Sequence, residues 1–191
     1  MARRRFDHFD ILAPWYDQAV QAPASDTLQG LIGPGPKRVL DAGGGTGRIS
    51  LALLAPGRQI VLADASLKML RHAKAPDQLR RVGAAAEQLP FPDDCFDCVL
   101  MVDALHHVRH QDLSLREMWR VVSPGGRLLV EEPDIDQLAV KLIAAAEKLA
   151  LMRSHFLRGE EVAVRLDRLG AQTRVERQDH TLWVIADKAD R

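Results

Sequence analysis

Residues 38–42, Arg38-Val39-Leu40-Asp41-Ala42, form a short apolar run that passes directly into Gly43-Gly44-Gly45-Thr46-Gly47. Apolar residues at helical spacing then run from Ile49 to Leu54, until Pro56-Gly57 stops them. Strand, glycine loop and helix in this order are what a ligand crevice at the carboxyl edge of an open parallel sheet requires. Glycines let the backbone approach a ligand without a Cβ in the way, and the free N–H groups opening the helix favour a carboxylate or phosphate. Dinucleotides and other nucleoside cofactors both remain open on this pattern alone. The dinucleotide fingerprint wants glycine at its first, third and sixth positions, and counting from Gly43 the sixth is Arg48, whose bulk opposes close helix–strand packing. The spacing here is instead acid-x-Gly-x-Gly-x-Gly, carried by Asp41, Gly43, Gly45 and Gly47.

The rest of the chain repeats the strand–helix alternation. Ile60-Val61-Leu62-Ala63 predicts a second strand, Ser66 an N-cap, and Leu67, Met69, Leu70 and Ala73 one face of a helix. A weaker strand is expected over 79–83, and 96–102 is apolar enough for a central strand covered on both faces. A helix over 112–122 should end at Ser123-Pro124-Gly125-Gly126, before a strand over 127–131. An alanine- and leucine-rich helix over 136–152, another over 159–169, and strands over 171–175 and 181–185 joined as an antiparallel hairpin complete the prediction. The fold class is therefore α/β, a doubly wound, Rossmann-like, mostly parallel sheet with an antiparallel C-terminal hairpin. A single domain over 1–191 is expected: an N-terminal cap over 1–33 ending in the turn-rich 30–36, a binding core over 37–133, and a helical cover with the closing hairpin over 134–191.

Charge narrows the partners. With 26 Lys plus Arg against 26 Asp plus Glu there is no net field to draw the chain to nucleic acid or an anionic membrane, which favours a small-molecule partner. No apolar run approaches the roughly twenty residues of a spanning helix, and the basic start leads into Asp7-His8 rather than a signal-peptide core, so a cytoplasmic location is expected. Cys95 and Cys98 form a lone C-x-x-C whose second member opens a buried strand; they read as a loop and a core cysteine rather than a zinc or redox pair.

The loop Asp41-Ala42-Gly43-Gly44-Gly45-Thr46-Gly47 resembles that of the class I S-adenosylmethionine (SAM)-dependent methyltransferases. So do 87–97, Glu87-Gln88-Leu89-Pro90-Phe91-Pro92-Asp93-Asp94-Cys95-Phe96-Asp97, before strand four, and Trp119-Arg120-Val121-Val122-Ser123-Pro124-Gly125-Gly126 before strand five. The resemblance implies SAM as cofactor, S-adenosylhomocysteine as its product, and a ribose-gripping acid at the end of strand two, where Asp64 stands before Ala65. Segment 6–17 resembles the N-terminal cover of ubiquinone and menaquinone biosynthesis methyltransferases, which would put Tyr16 at the methionine end of the cofactor. Family members often carry an adenine-binding Asp where this chain has Ala85, leaving Ala86 backbone groups, Met69 or Glu87 for adenine. Asp41, Ala42, Gly43, Gly44, Gly45 and Val102 complete the expected cofactor contacts.

Asp103, His106 and His107 follow strand four, with Glu131 and Glu132 after strand five, where the methyl must point. His107 is the candidate base, neutral and competent near pH 7, and Asp103 the candidate for stabilising positive charge. No Asn/Asp-Pro-Pro-aromatic follows strand four and no Pro-Cys nucleophile exists, which argues against amino methylation of adenine or glutamine and against cytosine C5 methylation. The quinone-type Leu-Arg-Asn-Val turn is replaced by Leu105-His106-His107-Val108, and the metal-binding Asp-Asn pair after strand five is missing, so no metal is expected. Methylation of oxygen or carbon on a phenol- or quinol-like molecule is the expected reaction. A SAM-binding module without catalysis and a nicotinamide-dependent oxidoreductase are the alternatives.

Overall fold

A computed structural model describes residues 25–33, 35–137 and 155–190. The segment carrying Tyr16 and most of the helix expected over 136–152 lie outside the described residues. The described elements run α1 (Ser25–Ile32), β1 (Arg38–Ala42), α2 (Arg48–Ala52), β2 (Gln59–Asp64), α3 (Leu67–His72), β3 (Leu79–Gly83), β4 (Phe96–Val102), a 3-10 turn (Leu105–His107), α4 (Gln111–Val121), β5 (Val122–Pro133), α5 (Gly159–Asp167), β6 (Gln172–Gln178) and β7 (Thr181–Asp187).

Seven strands form one sheet in the order β3-β2-β1-β4-β5-β7-β6. Pairings β3-β2, β2-β1, β1-β4 and β4-β5 are parallel, and β7 runs antiparallel to both β5 and β6. Parallel strands need cover on both faces. One face carries a core that includes Leu40, Val99, Met101, Leu128 and Val130, and the other includes Val39, Leu62, Cys98, Leu100 and Leu129, as the two-residue side-chain period dictates. The strand order reverses between β1 and β4, and that switch point is where the glycine loop and the 3-10 turn meet.

Where the boundaries differ from expectation, local chemistry explains why. β5 begins at Val122 rather than after the Pro-Gly pair: Val122 already pairs with Phe96, and an irregularity between Phe96 and Cys98 takes up the additional residues. Gly125 makes this possible with φ 71, its N–H donating to the Lys188 carbonyl at 3.0 Å. The C-terminal hairpin is also longer than predicted. Its partners close at Gln178↔Thr181 across Asp179, held at φ 52, so the polar run over 176–178 is strand; outer β6 is largely exposed and tolerates charge. Ser66 caps α3 as expected, its hydroxyl accepting from Met69 N–H at 3.2 Å. Leu67, predicted for the inward face of α3, is 56% exposed instead, because the capping turn places it before the buried pair Met69 and Leu70. Cys98 is fully buried on β4, where burial pushes its thiol up to about 12, and Cys95 is half-buried just before that strand. No helix among the described residues is long and apolar enough to cross a membrane.

Candidate functional site

A cavity of about 270 Å³ opens at the switch point. Its floor is the glycine loop, and the parallel register explains the arrangement. Ala42 lies opposite Ala63, so the chain leaving β1 emerges beside the chain leaving β2. The N–H of Gly43 donates to the Ala63 carbonyl at 2.7 Å, and that of Gly45 donates to Asp64 Oδ2 at 2.9 Å. Asp64 Oδ1 accepts from Ser66 N–H at 2.7 Å. The carboxylate is thus fixed in place by two backbone donors, one on each oxygen. It both shapes the turn into α3 and faces the cavity.

Gly44 is demanded by packing. A Cβ there would lie 2.4 Å from Leu62 Cδ1 and 2.5 Å from the Asp41 carboxyl, and Gly43 and Gly45 hold φ 73 and 57. Asp41, fully buried beneath the loop, accepts from the Ser50 hydroxyl at 2.6 Å, and burial raises its carboxyl to about 6.

The cavity is lined by Gly43, Gly44, Gly45, Asp64, Ala65, Met69, Ala86, Glu87, Val102, Asp103 and His107 of the residues predicted from sequence. Three predicted cofactor residues stand elsewhere. Asp41 and Ala42 are buried behind the loop and support it, while the side chain of Ala85 is exposed and off the cavity wall. Tyr16 lies outside the described residues. The wall also contains residues not singled out as ligand contacts, among them Thr46, Arg48, Met101 and Arg109. In the sequence Arg48 shows only as bulk where a dinucleotide loop needs glycine; its place on the cavity wall is set by the fold.

Another part of the wall is built at the end of β4 and in the turn that follows it. Asp103 takes φ 52, a region that Asp tolerates better than most residues, and its N–H donates to the Glu131 carbonyl at 3.0 Å. This turn at the strand end starts the chain towards the 3-10 turn bearing His106 and His107. Neighbouring glutamates on β5 point to opposite sides of the sheet and do different things. Glu132 is buried and organises the turn: its oxygens accept from Leu105 N–H at 2.7 Å, His106 N–H at 3.2 Å and His106 Nδ1 at 2.7 Å. A carboxylate only accepts, so Nδ1 of His106 carries the hydrogen. Phe156 stacks on that ring at 4.4 Å between centroids, and the His107 ring lies tilted 3.9 Å from it. His106 is therefore buried scaffolding, and His107 is the imidazole that reaches the cavity. Burial, aided by His106, lowers His107 to about 3, so it is neutral throughout the physiological range. Glu131 is pushed up to about 8, first by burial and then by the charges of Asp103 and Glu132. No group of three or more His, Cys, Asp or Glu that could hold a metal ion occurs among the described residues.

Comparison with known proteins bears on the family and the fold. Residues 40–130 match the family model described as a methyltransferase domain. The ubiquinone/menaquinone biosynthesis C-methyltransferase of Pectobacterium atrosepticum is 40% identical over 116 residues, covering 54% of this chain and 46% of that protein. The chain therefore spans about half the length of the curated relatives it matches. A solved complex of the Haloferax volcanii Trm112 methyltransferase activator with a methyltransferase aligns with TM-score 0.81 at 18% identity, over 97% of this chain and 99% of that one. The 1,6-didemethyltoxoflavin-N1-methyltransferase of Burkholderia thailandensis, solved with 1,6-didemethyltoxoflavin and S-adenosylhomocysteine, aligns with TM-score 0.69 at 22% identity over 93% and 81% of the two chains. At these identities the solved structures bear out the fold, and the family match bears out the resemblance drawn from the glycine loop.

Proposed function

From the match of residues 40–130 to a methyltransferase domain and the cavity at the glycine loop, we propose that this protein binds SAM in the cavity and methylates oxygen or carbon of a phenol- or quinol-like small molecule. The observation carrying this reading is the position of the Asp64 carboxylate, held against the glycine loop and lining the cavity at the end of β2. When bound, SAM supplies an electrophilic methyl on a sulfonium with a good leaving group. The protein's work is then to align the acceptor, manage its proton and exclude water.

His107, neutral on the cavity wall, accepts a hydrogen bond from the acceptor's hydroxyl and takes its proton as the oxygen is alkylated. An imidazole lowered to about 3 is too weak to ionise a free phenol in advance. It remains strong enough for the far more acidic proton of an alkylated oxonium or arenium, so proton transfer is late. Asp103 supplies negative charge on the same wall, and Tyr16, Met69, Ala86 and Glu87 are assigned to the cofactor.

Calorimetry with S-adenosylhomocysteine and with NAD tests the cofactor. The wild type is expected to bind the former only, and Asp64→Ala to weaken it by about 1.5–3 kcal/mol through loss of a charge-assisted pair. Ala85→Asp, at an exposed side chain off the wall, should change affinity much less. Wild-type affinity in Asp64→Ala would remove the ribose site from this position. Methyl transfer to any member of a panel of phenols, quinols and amines separates an enzyme from a binding module.

A further inference from the structure

A 3-10 turn of three residues has poor internal hydrogen-bond geometry, so the turn Leu105–His107 depends on its surroundings to present His107 to the cavity. Glu132 secures the N–H groups of Leu105 and His106. The carbonyl groups are secured from another direction. The Gln111 side chain donates from Nε2 to the Leu105 carbonyl at 2.9 Å and to the His155 carbonyl at 2.7 Å, while the His155 N–H donates to the His106 carbonyl at 2.8 Å. Two carbonyl partners require an amide nitrogen with two hydrogens, which fixes the orientation of the group and leaves its Oε1 facing His155 Nδ1 at 3.3 Å. The far side of this clamp is anchored in turn. Phe156 stacks on the His106 ring, and Leu157, 5% exposed, belongs to the core. Gln111 itself is half-buried at the first position of α4 and is not among the residues lining the cavity.

We propose that Gln111 is a positioning residue, whose amide clamps the turn Leu105–His107 to segment 155–157 and so holds the His107 imidazole in place for the acceptor. The inference rests on the reading of His107 as the group that takes the acceptor's proton. Gln111→Glu separates positioning from folding: it keeps the length of the side chain, and a carboxylate in the first turn of α4 suits the helix dipole, but it presents acceptors where two carbonyls need donors. Gln111→Ala removes the clamp outright. Both variants are compared with wild type by amide hydrogen exchange on the ligand-free protein, and by turnover of SAM with the panel phenol or quinol that the wild type methylates fastest. The His107 and Val108 amides, which donate to the Ala104 and Leu105 carbonyls, should exchange about tenfold faster, while Leu100 in β4 keeps its wild-type rate. Turnover should fall about tenfold with KM, S-adenosylhomocysteine affinity and the urea midpoint nearly unchanged, because a misplaced reacting group costs rate rather than binding. In a His107→Ala background the same substitutions should cost no further turnover, which a general loosening of the fold would not reproduce. Wild-type exchange at the turn in both variants overturns the clamp. Faster exchange with unchanged turnover, or an equal loss in the His107→Ala background, overturns its positioning role. If the wild type methylates no phenol or quinol, or His107→Ala keeps full turnover, the proposed function fails instead, and exchange at the turn still decides whether Gln111 holds it.

Discussion

His107→Ala is expected to lower turnover by about 10²-fold with a hydroxyl acceptor while leaving S-adenosylhomocysteine affinity unchanged, the low end of positioned proton transfer because the ring is a weak base. The imidazole lines the cavity but makes no part of the loop or of the Asp64 turn, so its loss removes a step rather than a binding contact. The structure alters the pH signature from the one the sequence suggests. An unperturbed histidine would give a rising limb near 6.5, whereas burial against His106 places this ring at about 3. Between pH 5 and 8, His107 should therefore contribute no limb to kcat/KM. A limb near 6.5 that disappears in His107→Ala would mean that the ring is hydrated and ordinary. Stability responds to the same shift. The unfolded chain binds this proton near 6.5 and the folded chain only near 3, so the histidine lowers stability as pH falls through that window. Full activity in His107→Ala would assign the proton elsewhere or require an acceptor that arrives as an anion.

Glu132→Ala is expected to cost about 3–5 kcal/mol of folding stability, among the largest effects of any single change here. The carboxylate is the acceptor for two backbone N–H groups and one ring N–H, all in a buried corner, and alanine would leave all three without a protein partner. For a chain of this size that loss lowers the melting temperature by roughly 6 to 20 °C. Urea denaturation gives the energy directly, and Glu132→Gln, retaining an amide oxygen as acceptor, should recover part of it. A loss below about 1 kcal/mol would show that water replaces the carboxylate and that the turn is not held by it. Because the same turn presents His107, the destabilised variant should also lose turnover at temperatures where it remains folded.

Much of this was legible in one dimension because the relevant patterns are local. Strand, glycine loop and helix follow one another between Arg38 and Leu54, and an uninterrupted apolar run over 96–102 can only be a strand with both faces covered. Once β1 and β2 are placed in parallel register, Asp64 must emerge beside Gly43 and Gly45, so its position against the glycine loop followed from spacing. The sequence could not decide contacts made across the sheet. Nothing local in Glu131-Glu132 shows that Glu132 is consumed in holding a turn 26 residues upstream while Glu131 is driven to about 8 by burial on the other side. Likewise, His106 and His107 are indistinguishable as letters. The hydrogen bond to Glu132 and the stacking of Phe156, which returns from far along the chain, hold the former in the interior, while the latter lines the cavity. Gln111 is the same kind of case, since one of its two carbonyl partners lies 44 residues away and is brought to it only by the fold. Local periodicity and turn chemistry determined the elements and the binding loop. Desolvation and hydrogen-bond satisfaction are set by neighbours distant in the chain, and therefore only the tertiary structure decided which polar side chains support the site and which face its ligand.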